Sequence, residues 1–154
     1  MNLEEKLLSL EIKLPSVPLA AGLYKPMVLE GNLAYLSGHL PVLEDGLMMV
    51  GMIGQECSVE QGYDAARQVG LNMLATLRAG LGTLNRVERV IKLLGLVNSK
   101  NDFTQHPQVI NGCSELFKEL WGEDLGVGTR SALGVSGLPA GAMVEIEGIF
   151  RILE

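Results

Sequence analysis

The segment from Ala142 to Leu153 alternates between apolar and charged residues, and no other feature constrains the fold more. Its apolar side chains fall on even positions, namely Val144, Ile146, Phe150 and Ile152. Glu145, Glu147 and Arg151 stand between them. Because successive side chains of a β-strand point to opposite faces, this alternation predicts a strand with one face against a core and one polar face.

Segments with strand periodicity recur along the rest of the chain. Short strands are predicted at residues 27–30, 33–37 and 47–51, the first two joined by Gly31-Asn32, a dipeptide typical of hairpin turns. A nearly continuous apolar run from Val90 to Asn98 predicts a central strand, and two more strands follow in the last quarter of the chain.

Three helices are predicted between these strands. The first covers residues 3–13 and stops before Pro15; the second follows a capping box at residues 58–61 and ends near residues 80–82. The third runs from about Pro107 to Trp121 and is closed by Gly122. Together the segments predict one α+β domain of 154 residues, with helices on one face of a mixed sheet.

Composition excludes several classes of function. The net charge is −6 and the basic residues are mostly scattered singly, which argues against a broad nucleic-acid surface. The cysteines, Cys57 and Cys113, fit neither a disulfide framework nor a metal site and are expected to pack as small hydrophobes. His39 and His106 lack metal-ligand spacing, and we expect solvated or capping roles for them. The N-terminus lacks signal-peptide character and no apolar run reaches membrane-spanning length, so a cytoplasmic location is expected.

Arg130 opens an apolar run, and nothing nearby in the sequence balances its charge. A guanidinium on this strand and a carboxylate from Glu145 or Glu147 on the next suggest a small polar pocket for an anionic substrate. The alternative is a structural ion pair between Arg130 and one of these two acids.

The predicted strands carry more apolar positions than two long helices can cover. Leaving that much apolar sheet in water is unfavourable, so a symmetric oligomer is expected. This argument gives no subunit count.

Two stretches resemble the YjgF-type Rid family, the reactive-intermediate deaminases. Tyr35 to Val42 is similar to a family strand and turn that typically reads Ser-Gly-Gln-Ile-Pro. Thr129 to Ser131, followed by Leu138-Pro139 and Val144 to Glu147, is similar to the family's C-terminal motif, including the spacing between Arg130 and Glu145. The resemblance covers about residues 20–153 and leaves residues 1–20 as an N-terminal extension.

The resemblance implies a chorismate-mutase-like fold and a homotrimer with sites at subunit interfaces. It also implies cofactor-free, metal-free hydrolysis of enamines and imines, such as 2-aminoacrylate-type 2-imino acids, to 2-oxo acids and ammonia. By the same resemblance Arg130 grips the substrate carboxylate and Glu145 positions or activates water. The remaining pocket residues it implies are Tyr24, Ser37, Gly38, Asn111 and Ala132.

Departures from the family pattern indicate a divergent subgroup. Ala132 stands where cysteine is common, His39 replaces the usual glutamine, and Leu23 precedes Tyr24 where the family has proline. Residues 104–106 read as an insertion. Two other functions stay open: a non-catalytic, metabolite-binding or regulatory trimer, and an endoribonuclease, which the acidic charge disfavours.

Overall fold

A computed structural model describes all residues, 1–154. Its centre is a five-stranded sheet in the order β1-β2-β5-β3-β4. The strands are β1 (Met27–Glu30), β2 (Leu33–His39), β3 (Val87–Asn98), β4 (Thr129–Val135) and β5 (Val144–Ile152). Only β3 and β4 pair in parallel, so the sheet is mixed, as the sequence predicts.

The helices are α1 (Leu3–Ser9), α2 (Val59–Leu81) and α3 (His106–Gly126). The predicted capping box at Ser58 and Gln61 begins α2, and Gly82, with a φ of 82°, ends it. None of the helices is long and apolar enough to cross a membrane.

The two long helices cover one face of the sheet. On β5 the even-numbered residues from 144 to 152 are buried, and Glu145, Glu147 and Arg151 lie on the opposite face. The buried core joins this strand to α2 and α3 through Met73, Phe117 and Phe150, among others. The predicted division of β5 into a core face and a polar face is therefore confirmed.

Gly112 allows α3 to lie close to α2. A Cβ atom at this position would lie 2.0 Å from the backbone oxygen of Tyr63 and 3.0 Å from the backbone nitrogen of Arg67. Only a residue without a side chain fits between the two helices here.

The structure differs from the sequence predictions in several details. The first helix ends at Ser9 and not at residue 13, with Leu10 as its C-cap and a positive φ of 55° at Glu11. Residues 47–51 form no strand: they contribute only isolated bridges, Val42 to Met48 and Val50 to Ala142. Glycines with positive φ, Gly46 and Gly51, bound this short segment and turn the backbone away from a ladder. Gly122 closes the long part of α3 as predicted, since its dihedral angles are non-helical (φ 81°, ψ 178°), and a short helical segment to Gly126 follows the kink.

The second face of the sheet carries no helix. Exposed apolar side chains on it include Val28, Tyr35 and Leu133, which are 47%, 42% and 51% exposed. The charged residues of β5 lie between them. In one copy of the chain this open face is in contact with solvent.

Candidate functional site

Arg130 is anchored by neutral groups of α3. Its Nη1 donates to Oδ1 of Asn111 at 2.8 Å and to Oγ of Ser114 at 3.1 Å. Its Nη2 lies 3.5 Å from the carbonyl oxygen of Pro107. Arg130 takes part in none of the ion pairs of the chain. Its guanidinium is therefore oriented without being neutralised, and Nε–H and one Nη2–H keep no partner within the chain.

Asn111 contacts Arg130 directly, and Ser114 is a contact of Arg130 that sequence reasoning missed. The two residues are three apart on α3, so their side chains lie on the same helix face. A pair of uncharged polar residues three apart, between the buried positions Ile110, Cys113 and Phe117, is the signal that could have identified Ser114.

The strand register places Arg130 on the helix-covered face of the sheet. Arg130 pairs laterally with Leu93 of β3, which pairs with Gly148 of β5, and both partners are buried. Laterally paired residues share a face. The contacts of Arg130 with α3 agree with this assignment. Ala132, two residues further along β4, faces the same side and packs partly against the core.

Glu145 lies on the open face, opposite to Arg130. It pairs with Leu96, which pairs with Leu133 of β4, three residues beyond Arg130. An odd separation along a strand reverses the face, and β3 lies between the two strands. A structural ion pair between Arg130 and Glu145 or Glu147 is therefore absent from the chain.

Gly38 brings β2 against the carboxylate of Glu145. A Cβ atom on Gly38 would lie 2.3 Å from Oε1 of Glu145, so no other residue fits there without displacing the acid. The register of β2 against β5 shifts between Leu36 and His39, and Gly38 lies within this irregularity. Burial, and to a smaller extent the charge of Glu147, raises the pKa of Glu145 above its ordinary value.

Ser37 and Tyr24 lie on the same side of the molecule as Gly38. Oγ of Ser37 donates to the carbonyl oxygen of Lys25 at 2.6 Å, which ties β2 to the segment before β1. The Tyr24 hydroxyl accepts from the backbone nitrogen of Ala21 at 3.2 Å, and the residue is 48% exposed. Ser37 has no histidine and acid arranged around its hydroxyl, so its side chain is not an activated nucleophile.

His39 is buried, and the expectation of a solvated or capping role is wrong for it. Its Nδ1 lies 2.6 Å from the carbonyl oxygen of Ser37 and its Nε2 lies 2.8 Å from Oγ1 of Thr76 on α2. Burial lowers the pKa of His39 and favours the neutral ring. One contact from each nitrogen satisfies a neutral imidazole, so this histidine can be buried without a charge.

The other reactive residue types are accounted for by packing. Cys57 and Cys113 are buried and free, as expected, and burial raises the pKa of both thiols. His106 begins α3 and lies 3.1 Å from Oγ of Ser99. No cluster of histidine, cysteine and acidic side chains could hold a metal ion.

The implied site residues therefore form two groups in one chain. Glu145, Gly38, Ser37 and Tyr24 lie around the end of β2, whereas Arg130, Asn111 and Ala132 lie at β4 on the other face. Each group contains one charged residue that no ion pair neutralises. Because Arg130 and Glu145 lie on opposite faces of the sheet, a small anion cannot contact both within one chain.

Known proteins resemble this chain over most of its length. The family model described as "YjgF/chorismate mutase-like, putative endoribonuclease" matches residues 4–144. Protein TCP17 of Trypanosoma cruzi is 39% identical over 93% of the chain and 89% of its own length. A 2-iminobutanoate/2-iminopropanoate deaminase of Dermatophagoides farinae is 30% identical over 92% of the chain and 94% of its own length.

Solved structures give the same result. A crystal structure of a protein of unknown function from Agrobacterium tumefaciens matches 97% of this chain and 91% of its own, with 38% identity and a TM-score of 0.86. The matched family model, the relatives and the fold agree with one another. The chain belongs to the YjgF/chorismate mutase-like family.

Proposed function

We propose that this protein hydrolyses small 2-imino acids and their enamine tautomers to 2-oxo acids and ammonia. The observation that carries the proposal is the state of Arg130, a cation fixed by the neutral side chains of Asn111 and Ser114. A guanidinium that is oriented but not neutralised is suited to bind an anion, and a 2-imino acid carries a carboxylate.

Arg130 supplies the binding contact for that carboxylate. Its free Nε–H and Nη2–H can donate two parallel hydrogen bonds, one to each carboxylate oxygen. Asn111 and Ser114 hold the opposite nitrogen, so little side-chain freedom is lost when the substrate binds.

Glu145 supplies the proton acceptor. Its raised pKa makes the carboxylate a stronger base than that of an ordinary glutamate. In the reaction a water oxygen forms a bond to the imine carbon as Glu145 takes the water's proton. That proton passes to nitrogen and leaves a carbinolamine. Transfer of the hydroxyl proton to nitrogen, again through Glu145, then forms the carbonyl as the carbon–nitrogen bond breaks and ammonia leaves. The imine carbon is already electrophilic, so orientation of water and substrate accounts for most of the catalysis.

The site is completed, in this proposal, by a second copy of the chain in a homotrimer. Arg130 and Glu145 of one chain lie on opposite faces of its sheet, so the two residues acting on one substrate come from neighbouring subunits. The exposed apolar residues of the open face, such as Tyr35 and Leu133, support burial of this face on assembly. The relative from Dermatophagoides farinae, which is named as an imine deaminase, supports the reaction class.

The test couples the protein to an enzyme that generates the substrate. A serine or threonine dehydratase releases the enamine, and 2-oxo acid formation is followed with and without this protein. We expect faster release of pyruvate and 2-oxobutanoate, and less trapping of the imine by added semicarbazide. A protein that binds these 2-oxo acids but accelerates neither release is a binding protein, and cleavage of RNA without either effect would support the endoribonuclease.

A further inference from the structure

An apolar cavity adjoins the Glu145 side of the proposed site. Its lining is mainly hydrophobic. The N-terminal extension contributes Leu19 and Ala20, and the segment after β2 contributes Leu40, Val42 and Met48. Its volume is about 120 Å³. An apolar cavity of about 150 Å³ takes benzene, so this one has room for roughly four or five carbon atoms.

Gly38 joins the cavity to the proposed catalytic acid. The glycine lines the cavity and also lies against the carboxylate of Glu145. Tyr24 lines the cavity as well. A substrate whose imine carbon lies near Glu145 has this cavity within reach of its side chain.

The polar groups of the cavity wall are already occupied. Asn72 of α2 donates to the carbonyl oxygens of Leu40 and Val42 at 2.9 and 3.0 Å, and Gln68 donates to that of Val42 at 3.1 Å. Both ring nitrogens of His39 have partners on other residues. Because these groups point their hydrogen bonds into the protein, the wall offers an entering group chiefly hydrocarbon surface.

The same contacts hold the wall in place. Gln68, Asn72 and Thr76 are spaced four residues apart on α2, so they form one row, and they fix the segment from His39 to Val42. Contacts within the chain thus hold the cavity in shape, which lowers the entropic cost of filling it.

We infer that this cavity binds the side chain of the substrate, and that the preferred substrates are 2-imino acids with apolar side chains of about four heavy atoms. Those derived from leucine and methionine fit this description. The inference rests on the proposed deaminase function for its substrate class. A side chain of one carbon, as in the imine derived from alanine, leaves the cavity unfilled.

The experiment compares two imines generated by an L-amino acid oxidase, one from leucine and one from alanine. For the wild-type protein we expect kcat/KM to be at least roughly tenfold higher with the leucine-derived imine, the discrimination that extra methylene groups give in an apolar pocket. Equal or higher kcat/KM with the alanine-derived imine overturns the inference.

Variants locate the preference in this cavity. Val42→Phe fills it from the wall and should lower the ratio of the two kcat/KM values by roughly tenfold. Ala20→Phe fills it from an exposed segment, where folding is not at risk, and should act in the same direction. Leu43→Phe is the matched control, since this neighbouring residue does not line the cavity, and it should leave the ratio unchanged. An unchanged ratio in both filling variants contradicts the assignment.

Binding of products separates this inference from the proposed function. Calorimetry with 4-methyl-2-oxopentanoate and with pyruvate measures the side-chain preference without any turnover. Tighter binding of the longer 2-oxo acid, lost in Val42→Phe, supports the cavity even if no imine is hydrolysed, in which case only the deaminase proposal fails. Turnover without any preference leaves the deaminase standing and refutes the cavity assignment.

Discussion

Arg130 is a cation held only by neutral partners, and this separates a binding role from a structural one. Arg130→Ala removes the proposed charged hydrogen bonds to the substrate carboxylate, about 1.5–3 kcal/mol, and should weaken 2-oxo acid affinity roughly ten- to a hundredfold. Arg130→Lys should restore part of the affinity, because an ammonium group cannot make the two-point contact. Calorimetric titration of both variants measures this effect.

The melting temperature of the same alanine variant supplies the control. No acid loses its partner when Arg130 is removed, so little stability should be lost. Arg67→Ala breaks a surface ion pair with Glu119 and serves as the comparison. It should leave the affinity for 2-oxo acids unchanged and lower the free energy of unfolding by about 1 kcal/mol or less. An Arg130→Ala variant that melts far below wild type but binds 2-oxo acids equally well would contradict the binding role.

The proposed role of Glu145 as proton acceptor makes the proposed activity depend on pH. The acid accepts a proton only when ionised, so activity should fall as the pH drops through its raised pKa, at a higher pH than for an ordinary glutamate. Glu147→Gln removes the like charge that contributes to this shift, so the acidic limb of the pH–rate profile should move to lower pH. Glu60→Gln, a charge change on the first turn of α2, is the matched control and should leave the limb in place.

Glu145→Gln tests catalysis and stability together. Turnover should be largely abolished while binding of 2-oxo acids persists, because Arg130 is untouched. Because folding raises the pKa of Glu145, its protonated form favours the folded state. This stability is fully present below the unfolded-state pKa of the group and is lost as the pH rises through its folded-state pKa. At neutral pH the glutamine variant should therefore melt no lower than wild type. Clearly lower melting together with wild-type turnover would contradict both assignments.

At the level of elements, the close packing of α2 and α3 at Gly112 helps to position the neighbouring Asn111, which anchors Arg130. Gly112→Ala puts a methyl group into the Tyr63 backbone, so the helices must separate, at an overpacking cost of about 1–3 kcal/mol. Asn111 is the adjacent residue, so the anchor of Arg130 should move as well. Chemical denaturation should show a lower free energy of unfolding, and calorimetry should show weaker binding of the 2-oxo acid product. Gly137→Ala, at a glycine with open space around it, is the control and should change neither.

At the level of the whole molecule, the proposed function makes the site depend on assembly, because its two groups of residues are separated within one chain. Light scattering should show a trimer, and a stable monomer at micromolar concentration would refute it. Arg130→Ala and Glu145→Gln chains should each be nearly inactive alone. Refolded together, they should recover roughly a quarter of wild-type activity, since each mixed trimer then contains one intact site. Failure to recover activity from verified mixed trimers argues for a site within one chain.

The sequence determined those features that follow from local periodicity and from spacing along the chain. Alternation in β5 specified which of its residues face the core, and the capping box at Ser58 specified where α2 begins. The strand faces and the helix start both depend on residues only a few positions apart, so the sequence alone is enough to predict them. The resemblance of the C-terminal motif also sufficed to identify the family, because Arg130 and Glu145 keep a fixed spacing in it.

Only the tertiary structure decided which residues face one another. The sequence suggested an arginine and an acid on successive strands, but β3 inserts between these strands and the register sends the two side chains to opposite faces. The buried state of His39 likewise depends on Thr76, 37 residues away. Contacts of this kind depend on strand order and helix packing, which are set by how the whole core is buried. The spacing of residues along the chain does not predict them.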